Sequence, residues 1–194
     1  MKYPNSFLTA LCVVFACASF FNQAFAEESP AGNPHVKITT NHGTIEIELL
    51  ADMAPLTVEN FLQLVDDDFY DGLVFHRVIA NFMIQGGGYT PEMTYKDAPR
   101  TVANESNNGV RNRRGTVAMA RMSAPDSADS QFFINVADNT HLDATPGNPG
   151  YTVFGRVVNG ADTVEKIELV NTHLRSGMAA VPEEPIMIVD VERL

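Results

Sequence analysis

Val74-Phe75-His76-Arg77-Val78-Ile79-Ala80-Asn81-Phe82-Met83-Ile84-Gln85-Gly86-Gly87-Gly88 is the stretch on which the reading of this chain turns, because no other segment is so apolar while carrying one fixed charge and one amide. Its β-branched and aromatic residues suit a pleated surface, and a glycine run ends it. It therefore reads as two short strands around a tight turn at Ala80-Asn81. Register decides what this hairpin can do. A two-residue loop sets Arg77 opposite Ile84, whereas a three-residue loop through Phe82 sets Arg77 opposite Gln85 and Ile79 opposite Met83. A slip of one residue exchanges the faces. Only the longer loop gathers Arg77, Gln85 and Met83 on one surface with Phe82 at its rim, a binding site for something amphipathic. The other reading is an edge hairpin whose Arg77 lays its stem on apolar neighbours and sends its head to water.

Further matches lie outside the hairpin. Gly115-Thr116-Val117-Ala118-Met119-Ala120-Arg121, then Ser130-Gln131-Phe132-Phe133-Ile134-Asn135, then Val153-Phe154-Gly155-Arg156-Val157 follow in order. Together with Phe75 to Ile79 and Asn81 to Gly88, these blocks resemble the signature of the cyclophilin-type peptidyl-prolyl cis-trans isomerases, over most of the chain from about Val36 onward. The resemblance implies that Arg77 and Gln85 are catalytic. It implies a proline pocket of Phe82, Met83, Phe133 and Leu142, and a groove for the peptide backbone lined by Asn104, Ala120, Arg121 and Gln131. His141 and Tyr151 complete the binding set.

Three of these positions depart from the family pattern. His141 stands where many members carry an aromatic residue, often Trp, and the loss of a flat indole counts against tight binding of cyclosporin more than against catalysis. Tyr151 occupies a place that is often His and keeps an aromatic face with a polar tip. Arg121 replaces an Asn common in some members, so its contact is expected to be with backbone. Of the two phenylalanines, alternation places at least one in the core. The family match gives the core to Phe132 and the pocket to Phe133.

The chemistry that the resemblance implies suits these residue types. An X-Pro bond is a tertiary amide with a rotation barrier of roughly 18–20 kcal/mol, and no covalent step is needed to lower it. Favouring the twisted state, in which the prolyl nitrogen regains a lone pair, is enough. A guanidinium, always charged and with donors in a rigid fork, can do this.

At the N-terminus, Lys2 precedes an apolar run from Phe7 to Phe21, and Ala24-Phe25-Ala26 supplies small residues where a signal peptidase reads them. Residues 1–26 are expected to be a cleaved signal, 27–35 a flexible leader and 36–194 a single domain. The run is too short and too well followed by a cleavage site to favour a membrane span of roughly 20 residues. Acylation at Cys17 is the weaker alternative, since Phe15 stands where a small residue is expected. Both cysteines, Cys12 and Cys17, fall inside the signal, so the exported chain is held by its core rather than by disulfides. Such a signal on an acidic, disulfide-free domain resembles the periplasmic cyclophilins of Gram-negative bacteria. The expected partners are proline-containing unfolded or partly folded exported polypeptides.

Composition narrows the alternatives. A formal net charge of -11 repels polyphosphate at long range, so Arg111-Asn112-Arg113-Arg114 reads as a solvated loop rather than a nucleic-acid site. The five histidines, His35, His42, His76, His141 and His173, are scattered without metal-ligand spacing. The glycine run leads into Tyr89-Thr90-Pro91 rather than a helix start, so it is no phosphate cradle. No metal or cofactor is expected, and with no heptad pattern the chain reads as a monomer. The remaining alternative is a non-catalytic chaperone module that holds proline-containing segments.

Val36 to Thr40 and Thr44 to Leu49 alternate as a hairpin. Val58, Phe61, Leu62 and Val65 fall at helical spacing behind a cap at Thr57. Tyr89 to Val110 reads as a long surface loop, a second helix starts near Ala161-Asp162, and Pro182-Glu183-Glu184-Pro185 is a rigid connector. Ile186 to Val191 is a last strand that pairs with the first hairpin. Short strands with two helices and no βαβ alternation give a mainly β fold, a closed antiparallel barrel capped by two α-helices. The resemblance makes it eight-stranded.

Overall fold

Val36 and Ile38 alternate inward against Ile45, Ile47 and Leu49, and this pattern pairs β1 (His35–Thr40) with β2 (Gly43–Leu49) around a turn at Asn41-His42. The computed structural model describes residues 32–194. The predicted signal, the Cys17 alternative and most of the leader lie outside the described residues.

Helix α1 (Pro55–Asp66) buries Val58, Phe61, Leu62 and Val65 as the spacing requires. Its start differs from the predicted cap at Thr57. Pro55, with its fixed φ and missing N–H, opens the first turn, and Thr57 sits inside the helix. The unpaired N–H groups of Leu56 and Thr57 are instead met from 48 or 49 residues away by the Glu105 carboxylate, at 3.1 and 2.8 Å. The Thr57 hydroxyl donates to it as well, at 2.6 Å. A negative charge at a helix N-terminus is favourable in itself, so this contact pins the long loop to the helix.

The run Val74 to Ile79 is broken at His76 into β3 (Val74–Phe75) and β4 (Arg77–Ile79). Then come β5 (Met83–Gly86), β6 (Thr116–Met119), β7 (Phe132–Asn135), β8 (Val153–Asn159) and α2 (Ala161–Glu168). A two-stranded ribbon, β9 (Thr172–Arg175) with β10 (Met178–Pro182), precedes β11 (Ile186–Arg193). The sequence reading leaves this ribbon unassigned, although its turn carries positive φ at Ser176 and Gly177.

Antiparallel pairing runs β3-β11-β1-β2-β8-β6-β7-β5-β4 through nine strands. The two outer members are halves of one run, so the sheet curls round until its edges meet in the same piece of chain. The fold is the expected eight-stranded barrel, counted as nine because His76 interrupts one strand. Closure of this kind leaves almost no free edge. No helix among the described residues is long and apolar enough to cross a membrane.

Phe132 is the hub of the interior. Its ring meets Phe61, Tyr70 and Phe75 edge-on at 5.7, 5.7 and 5.9 Å, the arrangement aromatic quadrupoles prefer. Phe133, one residue on, points the other way, into a smaller cluster with Met83, Ala118 and Val153. Alternation along β7 thus separates the core from the site.

Candidate active site

The hairpin adopts the longer register: Arg77 pairs with Gln85, Val78 with Ile84 and Ile79 with Met83. Phe82 N–H donates to the Ile79 carbonyl at 3.1 Å, and Asn81, between them, takes a φ of 58°, a left-handed conformation that Asn tolerates better than most residues. Glu168 at the end of α2 accepts the Asn81 N–H at 2.9 Å and so holds the turn from behind.

This register puts the Arg77 guanidinium beside neutral partners. One Nη donates to Gln85 Oε1 at 3.3 Å and lies 3.7 Å from Met83 Sδ, and the Phe82 ring centroid is 6.0 Å from Cζ. None of the ion pairs among the described residues includes Arg77. Its charge is therefore oriented without being neutralised by a carboxylate. Gln85 in turn donates through Nε2 to Gln131 Oε1 at 3.1 Å. Gly88 makes room for that amide, since a Cβ there would sit 2.4 Å from Gln131 Cγ.

Around Arg77 lies a cavity of about 250 Å³. Phe82, Met83, Phe133 and Leu142 form its apolar part, and Gln85, Ala120, Arg121 and Tyr151 the remainder. Phe133 and Tyr151 pack edge to face at 5.8 Å. Gln131 stands one step away, in a neighbouring cavity of about 310 Å³ shared with Gln85, Ala120 and Arg121 and walled further by Tyr89, Tyr95 and Asp129. The Tyr95 hydroxyl donates to Asp129 there.

Asn104 and His141 stand outside both linings, and Arg121, which lines both cavities, is held by carbonyls of its own chain. The Asn104 amide donates to the Gly150 carbonyl at 3.1 Å and accepts the Ser106 N–H at 2.9 Å, which leaves it a loop brace. Arg121 does reach backbone, but that of its own chain. Its Nε donates to Gly150 O at 3.1 Å, its other nitrogens to the Met122 and Pro149 carbonyls, and its Cζ lies 4.7 Å from the Tyr151 ring centroid. His141 is exposed and stacks on Phe82 at 5.7 Å with 24° between the rings, so it extends the rim rather than the pocket.

Arg111-Asn112-Arg113-Arg114 is only in part the solvated loop expected from composition. The arginines are exposed, and Arg113 and Arg114 stand 3.8 Å from Asp138 and Glu168, but Asn112 is fully buried. Asn135 and Asn139 are buried with it beneath the pocket rim. For Asn135 a signal was present, because it shares the pocket-side face of its strand with Phe133.

His76, on the opposite face from Arg77, is buried against Tyr89 at 4.6 Å between ring centroids, and its Nδ1 has no partner. Burial, and secondarily the charge of Arg77, push its pKa down to about 4 from an ordinary 6.5. Between those values the unfolded chain takes up a proton that the folded chain refuses. The associated stability is therefore complete above about pH 6.5 and is lost as pH falls toward 4. At about 1.4 kcal/mol per unit, this one group should cost about 2 kcal/mol between pH 7 and pH 5. Urea unfolding at both pH values should show the loss in the parent and a smaller one in His76→Gln; equal losses would remove His76 from the account.

A family model described as cyclophilin type peptidyl-prolyl cis-trans isomerase/CLD matches residues 35–193. A peptidyl-prolyl cis-trans isomerase of Acinetobacter baylyi is 50% identical over 160 residues, 82% of this chain and 85% of that protein. Peptidyl-prolyl cis-trans isomerase A of Dickeya dadantii is 45% identical over 181 residues, 93% of this chain and 94% of that protein. Among solved structures, a Cryptosporidium parvum cyclophilin type peptidyl-prolyl cis-trans isomerase crystallised in the presence of the dipeptide Ala-Pro superposes with a TM-score of 0.68 at 31% identity, over 81% of this chain and 96% of that one.

Proposed function

Because the chain belongs to the cyclophilin-type peptidyl-prolyl cis-trans isomerases, we propose that it speeds isomerisation of X-Pro bonds in exported polypeptides, with Arg77 stabilising the twisted amide. The observation that carries this mechanism is the Arg77 guanidinium, fixed by an amide oxygen beside the apolar wall of the cavity, with no carboxylate among the described residues paired to it.

In the planar amide the prolyl nitrogen shares its lone pair with the carbonyl and has little to offer a donor. As the bond twists, the nitrogen pyramidalises and becomes an acceptor, so a donor placed there favours the twisted state over both planar ones. Phe82, Met83, Phe133 and Leu142 hold the pyrrolidine ring and exclude water, which strengthens that interaction. Gln85 keeps the guanidinium aimed. Ala120, small where bulk would obstruct, and Gln131 leave the neighbouring groove open to residues that precede the proline. No bond is made to the enzyme, and this chemistry requires no metal or cofactor.

Exchange NMR on a short Ala-Pro peptide tests the reading. The chain from Glu27 should accelerate cis-trans exchange at catalytic concentrations. Peptide binding without acceleration would withdraw the mechanism and leave a holding module.

Export rests on the sequence of residues 1–26 and on one comparison. The match to the Dickeya protein covers 93% of 194 residues, about 180, which exceeds the 163 of the described domain and so extends into the N-terminal segment. The proposed address is the periplasm and the proposed state a monomer, its clients being chains whose slow proline steps delay folding after export. Mass spectrometry of the protein recovered from the exported fraction should give a chain that begins at Glu27. A lipid on Cys17, or an intact Met1 to Ala26, would overturn the cleavage assignment.

A further inference from the structure

Three buried asparagines and one aspartate under the pocket form a chain of hydrogen bonds with a fixed direction. Asn139 Nδ2 donates to the Phe82 carbonyl and to Asn135 Oδ1, each at 2.7 Å. Asn135 Nδ2 donates to Asn112 Oδ1 at 3.2 Å and to Thr116 Oγ1 at 2.9 Å. Asn112 Nδ2 donates to Asp143 Oδ1 at 3.2 Å and to the Tyr151 carbonyl at 3.4 Å. Asp143 Oδ1 also accepts the Asn112 N–H at 2.7 Å. An ionised carboxylate only accepts, so the last link sets the sense of every amide before it.

The ends of this chain are parts of the pocket. It grips the carbonyl of Phe82, the carbonyl of Tyr151 and, through Asp143, the residue after Leu142. The short 3-10 turn Thr140–Leu142 is tied in by Asn139 N–H to Asn112 O at 2.7 Å and Leu142 N–H to Asn139 O at 2.8 Å. Asn135 lies two residues beyond Phe133 on the same strand face. Four residues from distant parts of the sequence that wall one cavity are thus fastened to a single polar strut. Gly150 completes the fastening: its missing Cβ would fall 2.3 Å from Ala144 N, so only glycine lets the 149–151 segment close on the turn.

We propose that Asn112, Asn135, Asn139 and Asp143 are positioning residues that set the width of the proline pocket, and so govern how tightly substrate is held rather than how fast the held bond turns. The proposal rests on the pocket assignment of the preceding section. Arg77 and Gln85 are reached by none of these bonds, which is why the two effects separate. A half-satisfied buried network is costly, so losing the terminal acceptor should loosen the whole strut.

The experiment compares Asp143→Ala, Asp143→Asn and Asn139→Ala with the parent by titrating the Ala-Pro peptide and measuring exchange at saturation. Asn139→Ala is the second probe should Asp143→Ala fold poorly, because Phe82 O keeps its bond from Val136 N–H at 3.0 Å. Asp143→Ala and Asn139→Ala should weaken binding about tenfold with exchange at saturation within about twofold of the parent. Asp143→Asn, whose amide oxygen can accept the same two bonds, should bind as the parent does. Parental affinity in both alanine variants, or a fall in saturated exchange in place of the loss of affinity, would overturn the proposal. So would an Asp143→Asn variant as weak as Asp143→Ala. Phe133→Ala, run alongside, separates the two levels: if it too binds as the parent does, the pocket assignment fails first.

Discussion

Arg77→Ala should lower saturated exchange of an Ala-Pro peptide by about 10²–10³-fold while changing peptide affinity by no more than about threefold. The size follows from removing one preorganised donor aimed at a transition state in a sheltered site, which costs rate by about that factor. The split follows from where the interaction is made. In the planar amide the nitrogen offers the guanidinium nothing, so the bond that is lost exists only in the twisted state. Arg77→Lys tests the geometry. An ammonium carries the same charge on a flexible stem but lacks the planar fork that Gln85 Oε1 orients, so it should recover only part of the rate. Parental exchange in Arg77→Ala would remove Arg77 from the mechanism, and equal losses of rate and affinity would make it a binding residue.

What the sequence disclosed about this site was whatever rests on short-range order. Local chemistry places the turn at Ala80-Asn81, where Asn81 takes the positive φ, and ends the second strand at the glycines, but it leaves a loop of two or of three residues open. Once the loop length is set, the opposition of Arg77 and Gln85 is a matter of counting. The barrel was legible for a similar reason, because alternation at Val36, Ile38, Ile45 and Ile47 states which face is buried before any partner is known.

Contacts between distant loops were not legible. Nothing near Thr57 signals that its helix is capped by Glu105, nor does anything near Asn104 signal that its amide is spent on Gly150. A polar residue in a loop reads as solvated by default, and Asn112 between two arginines gave no reason to think otherwise. Burial reverses that reading, because an amide removed from water must find partners and then becomes a rigid structural element. Arg121 shows the same effect. The resemblance implied a contact with the backbone of a bound peptide, and carbonyls of its own chain engage its nitrogens.

Adjacent residues should divide the two halves of the molecule most sharply. Phe132→Ala removes the ring on which Phe61, Tyr70 and Phe75 converge, in a part of the interior that is fully closed. The cavity it leaves cannot be filled by water at low cost, and the expected loss is about 3–5 kcal/mol in the free energy of unfolding measured with urea. Phe133→Ala removes a ring of the same size from the wall of a cavity that already opens to solvent, so less packing is lost. Its larger effect should fall on the peptide: the apolar face that meets the pyrrolidine ring goes, and affinity should drop by about 10–100-fold, the worth of one well-buried side-chain contact. Where Phe132→Ala still folds, it should bind peptide as the parent does, because its ring never faces the site. The opposite pattern, with stability lost through Phe133 and affinity through Phe132, would mean that the strand faces are exchanged. In that case the register that aligns Arg77 with Gln85 would be in question as well, since β5 pairs Gln85 with Phe133 across the same sheet.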